Sequence, residues 1–183
     1  TSDVCTEFVG FDELTATGTV LEVVEEKRRA GIVLDQSPFY AEMGGQVGDT
    51  GTITADSQTW VITGTQKIGD AFLHFIKGEN APAQGSAVQL QVDVGRRAAI
   101  QRHHTVTHLF HWALHEVTGP DASQKGSHVG PDKLTFDFNS QALTLQQLAD
   151  IEQLVNERIV ENSEVSWTEA PHSEVTNRGD ILQ

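Results

Sequence analysis

The sequence predicts an α+β protein: a β-barrel-like lobe over residues 1–95, then a lobe of helix and antiparallel sheet over residues 96–183. Two observations predict it. Up to about Val94, short runs of β-branched and aromatic residues are separated by Gly, Asp, Asn and Pro, the punctuation of strands and tight turns. After Gly95 the apolar residues recur at helical spacing instead. At 183 residues the chain is long enough to bury a core, and neither a repeat nor a low-complexity linker separates the halves.

In order, the strand candidates are Thr17 to Val24, Ala30 to Leu34, Thr59 to Thr63, Ala71 to Ile76 and Ala87 to Val94. In the last of them Val88, Leu90, Val92 and Val94 alternate with polar neighbours, as in a half-buried strand, and a curled sheet is the natural packing. Between the second and third lies Ser37 to Gly51, too rich in glycine for a regular element and suited to close backbone approach. Arg96 to Val117 reads as a long helix stopped by Thr118-Gly119-Pro120. Leu134, Phe136 and Phe138 alternate as a strand. Thr144-Leu145-Gln146-Gln147 is a capping box before a second helix, whose apolar face of Leu148, Ile151, Leu154, Val155 and Ile159 should cover a sheet. Val165 to Thr168 is a candidate last strand.

Composition narrows the function classes. A formal net charge of −14 excludes general affinity for nucleic-acid phosphates, so any RNA contact must be local, with Arg96, Arg97 and Arg102 as its candidates. No run approaches a membrane span, and Thr1 to Gly10 has no basic leader, so no membrane partner is expected. The lone Cys5 cannot form an internal disulfide, which fits a reducing, cytoplasmic setting.

The chemistry-bearing residues cluster in three places. His104 and His108, four residues apart on the long helix, are spaced to grip one metal ion, although the same spacing also serves one solvated and one core imidazole. His104, His108, His111 and His115 form one stripe. The zinc-protease pattern fails, because its general-base Glu is replaced by Thr105. Gln124-Lys125-Gly126-Ser127-His128 carries hydrogen-bonding groups, and its spacing alone favours an ordinary turn. Glu42 and Asp49 form either an acid/base pair or, as is commoner, solvated loop charges. His74, His103, His111 and His115 are assigned to structure or solvent.

Four segments in order and spacing resemble the editing domain of bacterial alanyl-tRNA synthetase. They are Phe39-Tyr40-Ala41-Glu42-Met43-Gly44-Gly45-Gln46-Val47-Gly48-Asp49, His104-Thr105-Val106-Thr107-His108-Leu109, Gln124-Lys125-Gly126-Ser127 and Phe136-Asp137-Phe138. Stand-alone alanyl-tRNA deacylases and the editing domain of threonyl-tRNA synthetase share parts of the pattern. The resemblance implies hydrolysis of the ester in tRNA(Ala) mischarged with serine or glycine, by a piece of an ATP-dependent ligase that joins alanine to tRNA. It implies that His104 and His108 are zinc ligands, that Thr107, Gln124 and Ser127 form the catalytic pocket, and that Gly44, Gly45 and Gln46 contact substrate near the terminal adenosine. The implied partners are the tRNA(Ala) acceptor end and the other domains of the parent synthetase.

The family completes its zinc site with a Cys and a His in a Cys-Gly-Gly-Thr-His segment that is not found in this sequence. The chain stops at Ile181-Leu182-Gln183, where that region should begin, so the expectation is an editing fragment with half a metal site and impaired activity. Ser37 stands where Thr is frequent in the family, and Met43 where Ser is frequent. Two other readings remain open: a non-catalytic module for the tRNA acceptor end or for interdomain packing, and a stand-alone deacylase.

Overall fold

The computed structural model describes residues 4–26, 29–78, 80–166, 168, 170–171 and 174. Its elements are β1 (Glu7–Phe8), β2 (Thr15–Glu26), β3 (Arg29–Leu34), β4 (Gln36–Ser37), β5 (Gly51–Ala55), β6 (Gln58–Ile68), β7 (Ala71–Ile76), β8 (Ala87–Val92), α1 (Val94–Thr118), β9 (Ser123–Val129), β10 (Leu134–Asn139) and α2 (Leu145–Glu161). The fold is α+β, with a closed antiparallel barrel in the order β2-β3-β7-β6-β5-β8.

Two long strands close the barrel by changing partner along their length. The first part of β2, from Thr15 to Thr19, pairs with β8, and its remainder pairs with β3 past an irregularity between Val20 and Glu22. Likewise β6 pairs with β5 up to Ile62 and with β7 beyond it, with a shift between Ile62 and Gly64. Such irregularities bend a strand and increase its twist, letting six short rungs wrap into a cylinder. The interior is filled by Val20, Ile32, Leu34, Ile53, Ile62, Ile76, Val88, Leu90 and Val92, with Phe39 packed among them.

Sequence alternation places these side chains well, with one omission. The strand β5 escapes the reading because Gly51-Thr52-Ile53-Thr54-Ala55 offers one large apolar residue, Ile53, which is fully buried. Its turn into β6 uses Asp56 and Ser57, both at positive φ (47° and 67°), as a two-residue hairpin requires. At the other end, the expected strand to Val94 stops at Val92, since Asp93 caps α1 by accepting the Arg96 amide at 3.0 Å.

Two compact units are distinguished, residues 1–104 with 126–136, and residues 105–125 with 137–183. In the second, the helix stop holds: Gly119 takes φ 90° and its amide returns to His115. The capping box of α2 is present, with the Thr144 side chain accepting the Gln147 amide and the Gln147 side chain accepting the Thr144 amide. Arg158 lies 4.8 Å above the Trp112 ring. Of the expected covering face of α2, Ile151 is buried while Leu148 and Ile159 stay about half exposed. Val165, Ser166 and Thr168 are not in a strand, and Trp167 and the final segment 175–183 lie outside the described residues. No helix among the described residues is long and apolar enough to cross a membrane.

One histidine belongs to the barrel core. His74 on β7 is fully buried, with Nδ1 donating to the Ile32 carbonyl at 3.2 Å and Nε2 accepting from the Ser37 hydroxyl at 2.7 Å. Burial, only partly opposed by the backbone carbonyls of Ile32 and Phe72, pushes its pKa down to about 4 from 6.5. The unfolded chain therefore binds a proton there that the folded chain refuses. Stability from the neutral ring is complete above about pH 6.5 and is lost as pH falls toward 4, by about 3 kcal/mol in all. Urea unfolding between pH 7 and pH 4 should show wild type losing that much more stability than His74→Gln, and equal pH slopes would refute the assignment.

Candidate functional site

The glycine-rich segment leaves the barrel after β4 and re-enters it at β5. Within it Gly44 and Gly45, at φ 60° and 82°, form a two-residue turn closed by reciprocal bonds between Met43 and Gln46 at 3.2 and 3.0 Å. The turn then pairs with β9: the Val129 amide donates to Gly45 at 2.8 Å, and the Val47 amide to Val129 at 3.1 Å. A Cβ on Gly45 would lie 2.5 Å from the Ser127 carbonyl oxygen, so glycine is required there by contact as well as by φ. Thus Gly45 and Ser127 come together, Gly44 faces open space, and the segment read as a turn is the strand β9.

The opening turns of α1 lie along this loop. Arg97 is buried, and its guanidinium donates to Asp49 Oδ2 through Nε at 2.8 Å and through Nη2, to the Gly10 carbonyl at 2.7 Å and to the Pro38 carbonyl at 2.7 Å. Asp49 is itself buried and also accepts the Tyr40 amide at 2.8 Å. Burial first, and the Asp49 charge second, raise the Tyr40 pKa. Neither expectation for Asp49 holds: it is neither a solvated charge nor half of an acid/base pair with Glu42, which is exposed. Arg97 is correspondingly no phosphate ligand. Arg96 donates to the Gly48 carbonyl at 2.9 Å, which leaves Arg102 as the exposed member of that trio.

Further along α1, His104 is partly buried and its Nδ1 lies 2.6 Å from Oε1 of the buried Gln46. An amide oxygen only accepts, so Nδ1 carries the proton and Nε2 is the lone-pair nitrogen. That is the tautomer a metal ligand or a general base uses, with its ring held by a second group. His103 instead donates Nδ1–H to the Gly130 carbonyl at 2.6 Å, tying the helix to the turn between β9 and β10.

In the second unit Thr107 is buried on α1, while His108 on the same helix and Gln124 on β9 are exposed. His115 donates to the Ala122 carbonyl at 2.7 Å, and its ring stands edge-on to His111 at 4.5 Å. Burial, followed by the charges of His115 and His108, lowers the His111 pKa. Among the described residues no group of three or more His, Cys, Asp or Glu is placed to hold a metal ion. Two imidazoles are half of the donor set that a closed, four-ligand zinc site needs.

Residues 3–96 match the model of the tRNA synthetase class II (A) family, just over half of the chain. The chain belongs to that family. It is 45% identical over 179 residues to the alanine–tRNA ligase of Methylacidiphilum infernorum, covering 97% of this chain and 19% of that protein. The alanine–tRNA ligase of Akkermansia muciniphila is 42% identical across 100% of this chain and 20% of its own length. That of Dichelobacter nodosus is 44% identical over 82% of this chain and 17% of its own length. The chain therefore spans about a fifth of the length of the relatives it matches.

Sequence reading missed the Asp49–Arg97 pair because both residues carry surface-type charges in a polar context. The signal it had was Asp49 beside Gly48 in a segment expected to approach something closely. Removing one partner strands the other as a buried, uncompensated charge, at a cost of about 3–5 kcal/mol. In urea denaturation Asp49→Ala and Arg97→Ala should each show a loss of that order, and the double variant much less than their sum. Additive losses would mean that the two side chains do not act as a pair.

Proposed function

We propose that this chain is the editing module of an alanine–tRNA ligase, which hydrolyses the ester of tRNA(Ala) mischarged with serine or glycine. The observation that carries the reading is the bond from His104 to Gln46, which orients an imidazole of the His-x-x-x-His helix with a side chain of the glycine-rich loop. The family and the alanine–tRNA ligase relatives support it. Editing is needed because a pocket shaped for alanine cannot strongly reject a slightly different small amino acid by binding alone.

The reaction adds water across the ester: its oxygen joins the aminoacyl carbonyl carbon, the bond to the ribose oxygen breaks, and that oxygen takes up a proton. In this reading the Thr107 hydroxyl pairs with the serine hydroxyl, and Gln124 and Ser127 hold the aminoacyl group. The turn at Gly44 and Gly45 admits the terminal adenosine, with Gln46 behind it. His104 and His108 would be two of the zinc ligands. Bound zinc would supply Lewis acidity to the ester carbonyl or to water. With a net charge of −14, the tRNA must be held chiefly by other domains of the ligase.

Two measurements test this. Because two imidazoles lack the thiolate and fourth ligand of a closed site, calorimetry on this chain should show weak zinc uptake and incubation with seryl-tRNA(Ala) negligible turnover. Tight one-to-one uptake or rapid turnover would contradict the two-ligand account. In a complete ligase carrying these residues, Thr107→Val should slow hydrolysis of seryl-tRNA(Ala) about tenfold while sparing glycyl-tRNA(Ala), the effect of losing one hydrogen bond worth about 1.4 kcal/mol. Equal effects on both substrates would remove Thr107 from the serine-recognising role.

A further inference from the structure

We infer that Asp49 and Arg97 are positioning residues for His104: their ion pair sets the register of α1 against the glycine-rich loop, so that Gln46 meets the imidazole. The inference rests on the reading that His104 is the site's imidazole. Arg97 stands seven positions before His104 in α1, which puts the two on one helix face about 10.5 Å apart along the axis. Gln46 and Asp49 are three positions apart in the loop, and three steps of extended chain cover about 10 Å. The lengths match, with Gln46 on His104 and Asp49 on Arg97, so loop and helix run antiparallel and are bolted at both ends of the shared stretch. Beside the Arg97 bolt, Arg96 donates to the Gly48 carbonyl at 2.9 Å.

One bolt alone would not fix the other. A glutamine–histidine bond joins two side chains through several rotatable bonds, and a slip of one helical residue turns the face by about 100°. The Arg97 fork removes that freedom, since it takes a carboxylate and two carbonyls from different chain segments at once. Arg96 cannot substitute, having its own single carbonyl.

The test is nitrogen-15 NMR of the histidine rings in this chain, metal-free and at one pH where they are neutral. In wild type His104 should show the Nδ1–H tautomer, and the opposite tautomer would overturn the inference without any mutation. In Arg97→Lys, which keeps the charge but not the fork, and in Asp49→Asn, the His104 signals should move toward those of Gln46→Ala. The His74 ring in the barrel should keep its wild-type signals in all three. Unchanged His104 signals in either folded variant would overturn the inference. So would loss of the His74 signals in both Arg97→Lys and Asp49→Asn, since the pair would then determine the barrel itself. No tRNA or zinc enters the measurement, so it stands or falls apart from the editing assignment.

Discussion

The buried ion pair between Asp49 and Arg97 is the constraint on which the functional half of the first unit depends. It gathers three separate chain segments, at Gly10, at Pro38 to Asp49 and at the start of α1, around one guanidinium. Its donors converge on Asp49 Oδ2, which also takes the Tyr40 amide, while Oδ1 is buried with no hydrogen-bond partner among the described residues. An arrangement so lopsided is poorly designed for net stabilisation, because desolvating both charges consumes most of their attraction. A pair of apolar side chains of equal volume would serve stability as well. What they would not supply is direction, and direction is what a loop with so little regular structure lacks.

The barrel supplies the frame for that direction. The loop's two ends are fixed by β4 and β5, and Ser37 at its root is held by the buried imidazole of His74. From there the segment keeps its shape through the two-residue turn at Gly44 and Gly45, the short pairing with Val129, and backbone bonds from Glu42 to Thr65 and from Asp49 to Tyr40. The turn and the pairing with Val129 rely on glycine, which costs conformational entropy on ordering. The charges at Asp49 and Arg97 offset that softness by attaching the loop to a helix, the stiffest element at hand.

How much of this was legible in the sequence follows from what each signal encodes. Alternation located β8 and β10, and the capping box located α2, because burial and cap chemistry are local properties. The strand β5 was invisible, since its pairing with β6 and β8 is decided by partners rather than by its one large apolar residue. The segment at Gln124 to His128 read as a turn for the same reason: Lys125, Gly126 and Ser127 carry little strand propensity, and it is Leu134 to Asn139 and the loop that make it a strand. Motif resemblance is what singles out His104, His108 and the glycine pair in the sequence. Asp49 was named and given the wrong environment, since composition cannot distinguish a charge meeting solvent from one meeting Arg97.

In sequence His103, His104 and His115 belong to one helix, and the four-residue spacing that marks His104 with His108 marks His111 with His115 as well. Their partners choose. His103 gives its proton to the backbone at Gly130, between β9 and β10, and His115 gives its proton to the backbone at Ala122, just before β9, acceptors 27 and 7 positions away. His104 gives its proton to a side chain 58 positions away, on a loop with little regular structure of its own. A backbone carbonyl comes with any neighbouring strand, whereas a buried glutamine amide must be delivered to the ring by everything that shapes its loop. That asymmetry singles out His104: its orientation depends on the barrel, the glycine turn and the ion pair together, whereas His103 and His115 give their Nδ1–H and Nε2–H to backbone carbonyls.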